Sequence, residues 1–337
     1  MNTPSTHHTR TVVRVVLGAT ALLTVLITAF AWPASEVAPR DLPVAVAGPP
    51  EAVTGLGQGA TALGEDALEI AVEDDRAAVV AAIEERDAAG GFVLGPEGVE
   101  VLTASAGSPA TAQLLTDLAS HLAAANPDAG PVTTTDVVPL PADDPRGLTF
   151  NSGALPLVLG GLAAGVLAAL LLRTRRSGLA AILGIAGAGG LAMAAVLQGW
   201  LGALEGSYLA NAGVIALGIA ALGLPVLGLH RLLGRPGIPL AAAVFLLLGN
   251  PLSGVTSSPY LLPDGWSTLG QLLPPGAVGT ALRSTSFFDG AGAGVSLLVL
   301  AGWALVGAVL LLVPGRRASA EEDPTTPEEV RSPMPAM

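Results

Sequence analysis

The chain has 337 residues, of which 51% are hydrophobic and 12% are charged. A sequence this apolar and this poor in charge is typical of an integral membrane protein. Lysine and cysteine are both absent. The missing lysine excludes a Walker A loop, which needs that side chain on the nucleotide phosphates, and the missing cysteine excludes disulfides and thiolate metal sites.

The formal net charge of −12 is concentrated in one part of the chain. Residues 33–150 contain 19 acidic residues against four arginines, whereas the rest of the chain contains 8 acidic residues and 11 arginines. The acidity is therefore a property of one domain. It disfavours nucleic acid as a partner, because a phosphate backbone binds to basic surfaces.

The N-terminal segment Met1–Arg10 is short and polar, and we predict a disordered cytoplasmic tip there. Thr11–Trp32 is apolar apart from Arg14 and predicts a first membrane span. The A-x-A-like tripeptide Ala29–Ala31 leaves a secretory signal cleaved at Ala31 as the alternative. We favour a retained anchor, because the apolar run is longer than the roughly 7–15 residues of a signal h-region.

Residues 33–150 are long enough for an independent domain, and both interpretations of the first apolar run place them outside the cytoplasm. Short β-type runs alternate with amphipathic helical patterns, which predicts a small α/β domain. The predicted strands are 42–47, 68–72, 91–94, 99–104 and 133–140, and the predicted helices are 51–64, 74–89 and 108–125.

Five long apolar stretches follow within residues 151–314, and each could cross a hydrocarbon layer of ~30 Å as a helix. None shows the polar stripe that a long soluble helix needs. The stretches are 154–172, 178–197, 208–229, 238–255 and 291–313. We therefore predict a mainly α-helical polytopic membrane protein with six transmembrane helices. One extracytoplasmic α/β domain lies between the first two, and residues 315–337 form a disordered acidic cytoplasmic tail.

The placement of arginine predicts the orientation of these spans. If the N-terminus is cytoplasmic, at least eight basic residues flank the spans on the cytoplasmic side, and Arg283 alone lies in the short external loops. This asymmetry is the positive-inside pattern. We expect a multi-pass protein of the plasma membrane with both termini in the cytoplasm.

Residues 249–290 lie between the last two predicted spans, on the external side. The segment is too rich in proline and glycine for one helix and too apolar for a solvated loop. It predicts a re-entrant or interface-lying helical pair with its bend at Leu272–Gly276, and both a substrate-facing role and an interfacial lid anchored by Tyr260 and Trp266 stay open. The candidate path or outer-mouth residues are Asn250, Pro251, Trp266, Leu273, Pro274, Pro275 and Arg283.

Small and polar residues within the spans predict contacts between helices. Gly161 and Gly165 form a GxxxG motif, which lets two helix backbones approach closely, and we favour packing inside one chain over a dimer face. Gln198, Asn211 and Asn250 lie near span ends. We expect them to make interhelical hydrogen bonds rather than to line a path.

The sequence does not predict an enzyme. It contains no H-E-x-x-H or G-x-S-x-G motif, and no G-x-G-x-x-G between a strand and a helix. The acidic runs Glu73–Asp75 and Asp143–Asp144 do not match an EF-hand loop, so we expect them to be solvated. We predict no catalytic residue, no cofactor and no bound metal.

The layout of one span, an exported α/β domain and five further spans is accompanied by a set of short motifs. These are Asp41–Val46, Gly91–Leu94, Thr133–Pro141, Asp144–Gly147, Gly249–Gly254, Leu262–Pro263 and Leu273–Pro274. In layout and motifs the chain resembles the membrane subunits of ABC-2-type exporters, and in particular their phage-infection-protein-like branch. The resemblance covers nearly the whole chain and implies a membrane bundle with an export or cell-surface role. The family's cytoplasmic coupling helix would have to fit into Arg173–Ser177.

These features together predict a permease-like membrane protein that assists the export of a hydrophobic or cell-envelope compound. The expected partners are the lipid bilayer, a second copy of the chain in a dimer and, if ATP drives export, a separate ATPase subunit. The alternative is a non-transporting cell-surface protein whose external domain binds a partner, either an envelope component or a phage.

Overall fold

The computed structural model describes residues 6–125 and 130–314, and the protein is mostly helical with one small β-sheet. The sheet and three helices form an α/β region that follows the N-terminal helix. The remaining helices form a bundle.

In the described part of the chain five strands form the sheet, in the spatial order β2-β1-β3-β4-β5. The pairs β1–β2, β1–β3 and β4–β5 are parallel, and β3–β4 is antiparallel across a tight turn. The predicted strands are confirmed to within a few residues, except that the last one ends at Asp136 rather than at Leu140. The bounds are β1 (Leu42–Ala47), β2 (Leu68–Glu73), β3 (Gly90–Gly95), β4 (Gly98–Thr103) and β5 (Val132–Asp136).

Three helices cover the two faces of this sheet. On one face, Phe92 of the sheet packs with Leu115 of the third of them. On the other face, Val79 and Ile83 pack against Leu102. Both faces of β1 are covered, so its residues are buried without alternation, as is usual for a central strand in a mainly parallel sheet. The helices are α2 (Pro50–Ala60), α3 (Arg76–Glu84) and α4 (Pro109–Ala125).

Helix α3 ends at Glu84, before its predicted end at Ala89. Arg86 follows in the left-handed conformation, with a φ of 65°, and a helix of L-residues cannot continue through that conformation. The backbone N–H of Ala88 donates to the carbonyl oxygen of Ala82 and closes the turn. The turn carries the Arg86 side chain away from the helix and towards the bundle.

Within the described residues, five helices are long and apolar enough to cross a membrane, which indicates a membrane protein. Helix α7 is the centre of the bundle, because it packs against α5, α6 and α11 and buries most of its residues. Helix α1 stays exposed along its apolar stretch. The helices are α1 (Thr6–Ser35), α5 (Leu148–Leu171), α6 (Arg175–Ala194), which a π-helical segment extends to Trp200, α7 (Tyr208–Leu233) and α11 (Gly294–Leu312).

The GxxxG motif lies inside the chain, as predicted. A Cβ on Gly165 would lie 2.6 Å from the carbonyl oxygen of Gly223 and 2.6 Å from Cβ of Val226, both in α7. A Cβ on Gly161 would lie 2.7 Å from Cβ of Leu222. Both glycines therefore let α5 approach the backbone of α7 closely.

The predicted fifth span, residues 238–255, forms a helix only over Gly237–Leu248. Helix α8 (Gly237–Ala242) and its π-helical continuation (Ala243–Leu248) together reach about 18 Å at 1.5 Å per residue, which is less than the hydrocarbon thickness. Pro251 lacks the N–H that a continuing helix needs, and Gly254 has a φ of 66°. Six transmembrane helices are therefore not confirmed.

Residues 249–290 contain the helical pair that the sequence predicts. Helices α9 (Trp266–Gln271) and α10 (Pro274–Phe287) are joined by Leu272 and Leu273. Pro274 occupies the start of α10, where a missing N–H costs no helical hydrogen bond. The bend therefore lies within the predicted Leu272–Gly276.

Arginine residues gather at the end of the bundle that lies away from the α/β region. Arg175 donates to the carbonyl oxygens of Leu312 and Val313 at the end of α11. Arg231 donates to two carbonyl oxygens that follow the end of α5. These guanidinium groups donate to carbonyl oxygens left free at the helix ends. Their contacts bring the three predicted cytoplasmic ends of the spans to the same end of the bundle.

The prediction for the N-terminus needs a correction. Helix α1 begins at Thr6, so the second half of the supposedly disordered segment Met1–Arg10 is helical. Once the apolar run has nucleated a helix, each added turn contributes hydrogen bonds without a new nucleation cost, and the helix extends into its polar flank. Met1–Ser5 and the predicted acidic tail of residues 315–337 lie outside the described residues.

Candidate functional site

The bend between α9 and α10 lies level with the middle of two spanning helices. A Cβ on Gly218, in the interior of α7, would lie 2.6 Å from Cγ2 of Val278, near the start of α10. The carbonyl oxygen of Leu272 accepts a hydrogen bond of 2.8 Å from Nε1 of Trp303, in the middle of α11. The helical pair therefore enters the bundle to about half its depth.

The other end of α10 lies level with the start of α7. A Cβ on Gly206, just before α7, would lie 2.7 Å from the carbonyl oxygen of Thr285. Helix α10 therefore rises from the middle of the bundle to the end that faces the α/β region.

The predicted path residues of the bend are packed against the broken helix α8. Leu273, Pro274 and Pro275 are all buried. A Cβ on Gly249, just after α8 and its continuation, would lie 2.9 Å from Cγ of Pro275. The broken helix and the re-entrant bend thus meet at the same depth.

The remaining predicted residues near the break lie at its edges. Trp266 packs edge-on against Trp32 of α1, with 4.9 Å between the ring centroids. Asn250 and Pro251 are half-buried. The side chain of Asn250 makes no hydrogen bond to another described residue, so its predicted interhelical hydrogen bond is absent there. Its carbonyl oxygen accepts hydrogen bonds from the hydroxyl and the backbone N–H of Ser253.

Arg283, which the sequence analysis placed in the short external loops and among the path residues, lies in α10 and is only 5% exposed. Its Nη2 donates to the carbonyl oxygen of Val255 at 2.8 Å and to Oδ1 of Asn151 at 3.2 Å, and its Cζ lies 4.8 Å from the ring centroid of Phe150. No carboxylate pairs with it among the described residues. Burial, and then the charge of Arg86, lower the pKa of Arg283 to about 10, so it is charged at neutral pH.

Arg86 reaches the same place from the α/β region. Its Nη1 donates to Oγ of Ser284 at 2.6 Å and to the carbonyl oxygen of Thr280 at 3.3 Å, and its Cζ lies 5.0 Å from the ring centroid of Phe288. Within the described residues its Nε and Nη2 donate to no protein acceptor and no carboxylate pairs with it. Burial lowers the pKa of the Arg86 guanidinium.

A cavity of about 270 Å³ lies between the α/β region and the helical pair, and both arginines line it. No acidic side chain is among its described lining residues. The hydroxyl oxygen of Thr111 is buried and has no hydrogen-bond partner in the described part of the chain. The other polar lining side chains include Ser108, Tyr260, Ser267, Gln271 and Thr280.

A second cavity, of about 660 Å³, adjoins the first and has the opposite charge. Glu84, Glu85, Glu205 and Asp289 line it, and Phe288 lines both cavities. Among the described residues no three His, Cys, Asp or Glu side chains gather in a way that could hold a metal ion. The two cavities therefore differ in the sign of the ligand charge that each could accept.

Asn211 makes the interhelical hydrogen bonds that the sequence predicts. It is 0% exposed, and its Nδ2 donates to Oε1 of Gln198 at 3.0 Å and to the carbonyl oxygen of Glu205 at 2.7 Å. Its Oδ1 accepts from the hydroxyls of Thr285 at 2.8 Å and Ser286 at 3.0 Å. All four hydrogen-bonding positions of the amide are used, and they tie the outer end of α10 to α7 and to the end of α6.

Arg86 and Thr111 are functional candidates that the sequence did not reveal. Arg86 follows Glu84 and Glu85 in the acidic helix that the sequence predicts over residues 74–89, where it resembles one more solvated charge. Its contact with Ser284 joins residues 198 positions apart. No local pattern reports a contact over such a separation.

A comparison of the chain with protein-family models found no match, and neither the curated proteins nor the solved structures gave one. The resemblance to ABC-2-type exporter subunits therefore rests on the sequence motifs alone. Function has to be inferred from the geometry of the helical pair and of the cavity beside it.

Proposed function

We propose that this chain is a permease-like membrane subunit that assists the export of a hydrophobic or cell-envelope compound. The main support is the re-entrant pair α9–α10, whose bend lies level with the middle of α7 and α11. Irregular backbone at such depth is tolerated only next to protein or a wet cavity, and in transporters broken helices of this kind form substrate sites. A protein that needs only an anchor has no use for such a segment.

In this proposal the chain crosses the membrane six times and both ends are cytoplasmic. Gly237 packs against the last turn of α7 at the arginine-rich end, and residues 249–255 would complete the crossing that α8 begins. The contact of Trp32 with Trp266 supports a position of the C-terminal part of α1 at the outer end. The positive-inside rule assigns the arginine-rich end to the cytoplasm.

The path would form in the bundle, paired with a second copy of the chain, and residues 249–290 would shape its outer mouth. The GxxxG motif is occupied by α7 within the chain, so another surface must mediate pairing, and the exposed helix α1 offers one. A separate ATPase subunit would supply energy, because this chain has no lysine for a Walker A loop.

Cysteine labelling tests the topology. The chain has no native cysteine, so Ser120→Cys in α4 and Ser177→Cys in α6 each report a single position. We expect an impermeant maleimide to label Ser120→Cys on intact cells and to label Ser177→Cys only after lysis. The reverse pattern would refute the proposed orientation.

A disulfide lock tests transport. A Cβ on Gly279 in α10 would lie 3.6 Å from Cβ of Val255, a separation that suits a disulfide. If α10 moves during export, oxidation of the variant Gly279→Cys/Val255→Cys should stop efflux of a fluorescent amphiphile from cells, and a reductant should restore it. Each single cysteine variant is the control, because it cannot form this cross-link. Full efflux by the oxidised double variant would rule out a moving path here.

The second candidate function is a non-transporting surface protein whose external domain binds an envelope component or a phage. The cavity at the edge of the α/β region favours it, because a binding protein also needs a concave site with a few converging polar groups. The two functions predict different results in the efflux experiment. If the protein binds its ligand but the double variant shows no chain-dependent efflux, whether oxidised or reduced, the result would support a binding protein and not a permease.

A further inference from the structure

The buried guanidinium group of Arg283 and the half-buried one of Arg86 face one cavity from different parts of the fold. Arg86 comes from the turn after α3 and Arg283 from α10. An unpaired buried charge is costly, so buried cations are normally matched by carboxylates or fully hydrogen-bonded. Neither arginine has a carboxylate partner among the described residues, and the positive charge of Arg86 acts on Arg283. The arrangement leaves positive potential that an anion would neutralise.

Helix α4 adds to this potential. The Ser108 side chain accepts a hydrogen bond of 3.1 Å from the backbone N–H of Thr111 and so caps the N-terminus of the helix, and both residues line the cavity. A helix N-terminus carries a partial positive charge and favours anions. The buried Thr111 hydroxyl has no partner in the described part of the chain, so an acceptor bound in the cavity would give it one.

We propose that this cavity binds a phosphate group, carried by a lipid headgroup of the envelope or present as the free anion. Guanidinium groups bind phosphate through paired N–H···O hydrogen bonds. A tetrahedral anion presents acceptor oxygens in several directions to Arg86, Arg283 and the hydroxyls of Thr111 and Ser267, whereas the acceptor positions of a carboxylate lie close to one plane. A volume of about 270 Å³ fits a headgroup and not a whole lipid.

The height of the cavity in the molecule favours a headgroup as the source of the phosphate. Trp266 precedes Ser267 of the cavity wall and packs against Trp32, and Tyr260 lines the cavity itself. Amphipathic rings of this kind collect at the boundary between hydrocarbon and water. Lipid phosphates lie at the same level, so a headgroup could enter from the side.

This site goes beyond the proposed function and does not rest on it. In a permease it would hold the headgroup of the exported compound, and in a binding protein it would hold an envelope component. Binding at equilibrium is measured without efflux, so the two proposals fail separately.

The test uses the full chain, purified in a neutral detergent, and isothermal titration calorimetry. The probes are dioctanoyl phosphatidylglycerol, zwitterionic dioctanoyl phosphatidylcholine and inorganic phosphate. We expect the anionic lipid to bind at least about tenfold more tightly than the zwitterionic one. Binding of inorganic phosphate alone would also support the site and would make the free anion its ligand. Failure of both the anionic lipid and phosphate to bind, or equal affinity for the two lipids without phosphate binding, would overturn the proposal.

Arginine variants locate the site. Arg86→Gln should lower the affinity for the probe that binds to the wild type by about tenfold or more, because it removes a charge-assisted hydrogen bond. Arg146→Gln is the matched control, since this exposed arginine on the same side makes no ion pair with another described residue, and its affinity should be unchanged. Wild-type affinity in a folded Arg86→Gln protein would overturn the proposal.

If the Arg86→Gln protein does not fold, Thr111→Val tests whether the cavity is the binding site. Valine has nearly the shape of threonine and removes the buried hydroxyl that has no protein partner among the described residues. We expect a higher melting temperature without ligand, because an unsatisfied polar group is gone, together with a several-fold weaker affinity for the probe. An unchanged affinity in this variant would then contradict the site.

Discussion

The helical bundle and the α/β region treat polar side chains in opposite ways. In the bundle, Asn211 is fully buried and all its hydrogen-bonding positions are used by protein groups. In the α/β region, Arg76 and Glu100 form an ion pair on the surface, with hydrogen bonds of 2.8 and 2.9 Å. Water can replace the partners of Arg76 and Glu100 on the surface, but it cannot replace the partners of the buried Asn211. The importance of a polar side chain therefore follows from its access to water and not from its charge.

Apolar packing differs between the two regions in a related way. The core of the α/β region is filled by large side chains such as Phe92, Ile83 and Leu115, because burying apolar area out of water is favourable. In the bundle, Gly161 and Gly165 bring α5 close to α7. Lipid tails are as apolar as leucine, so close approach of helices matters more there than area. We expect the effects of substitutions to fall from the bundle interior to the surface of the α/β region.

The largest effect is expected at the contact of α5 with α7. In Gly165→Leu the new Cβ would meet the carbonyl oxygen of Gly223 at 2.6 Å, and a backbone group cannot rotate away. Overpacking typically costs ~1–3 kcal/mol, and a clash with backbone belongs at or above the upper end of that range. Thermal unfolding and gel filtration in detergent should show loss of the folded bundle. Gly160→Leu is the control, since its Cβ would meet nothing within 4 Å, and equal melting temperatures would contradict the contact.

The next largest effect is expected from Asn211→Leu. The substitution leaves the hydroxyls of Thr285 and Ser286 and the amide of Gln198 short of a buried partner, and we expect a loss of about 2–3 kcal/mol in the free energy of unfolding. Gln113→Leu removes an exposed amide from the α/β region and should cost far less, because water replaces its hydrogen bond to Asp117. Melting temperatures that fall equally in both variants would break the contrast between the regions.

The parts of the fold that were predictable from the sequence have local signals. Strand alternation and helix periodicity predicted the elements of the α/β region, and Pro274 with its neighbours predicted the bend between α9 and α10. The break after α8 also had a local signal in Pro251 and Gly254. A hydropathy count over residues 238–255 overlooks it, because such a count registers neither the N–H that Pro251 lacks nor the positive φ of Gly254.

The candidate site was only half predictable, because its walls come from distant parts of the chain. Arg283 stood out as the one arginine of the short external loops, but that placement does not indicate its burial. Its burial depends on Val255, Asn151 and Phe150, which the fold brings together. Nothing in the sequence near Arg86 indicates that a left-handed turn directs its side chain to α10.

A smaller effect is expected between the two regions, where Asp144 caps helix α5. Its carboxylate oxygens accept hydrogen bonds of 3.1 and 2.9 Å from the backbone N–H groups of Thr149 and Phe150. Loss of an N-terminal cap costs about 1–2 kcal/mol, so Asp144→Ala should lower the melting temperature moderately. Asp143→Ala changes the neighbouring carboxylate, which is exposed and makes no hydrogen bond to a described residue, and it should melt like the wild type. An equal fall in the melting temperatures of both variants would mean that the lost charge, and not the lost cap, lowers the stability.

The smallest effect is expected from Glu100→Gln, and it should depend on pH. The hydrogen bonds from Arg76 hold the pKa of the Glu100 carboxyl below its usual range. A carboxyl whose pKa is lower in the folded state contributes stability above its unfolded pKa and loses that contribution as the pH falls through the folded value. The wild type should therefore melt slightly above Glu100→Gln at neutral pH and together with it in acid. The lower melting temperature of Asn211→Leu involves no titrating group and should persist in acid. If the lower melting temperature of Glu100→Gln also persisted in acid, the hydrogen bonds of Glu100, and not its charge, would hold the surface pair together.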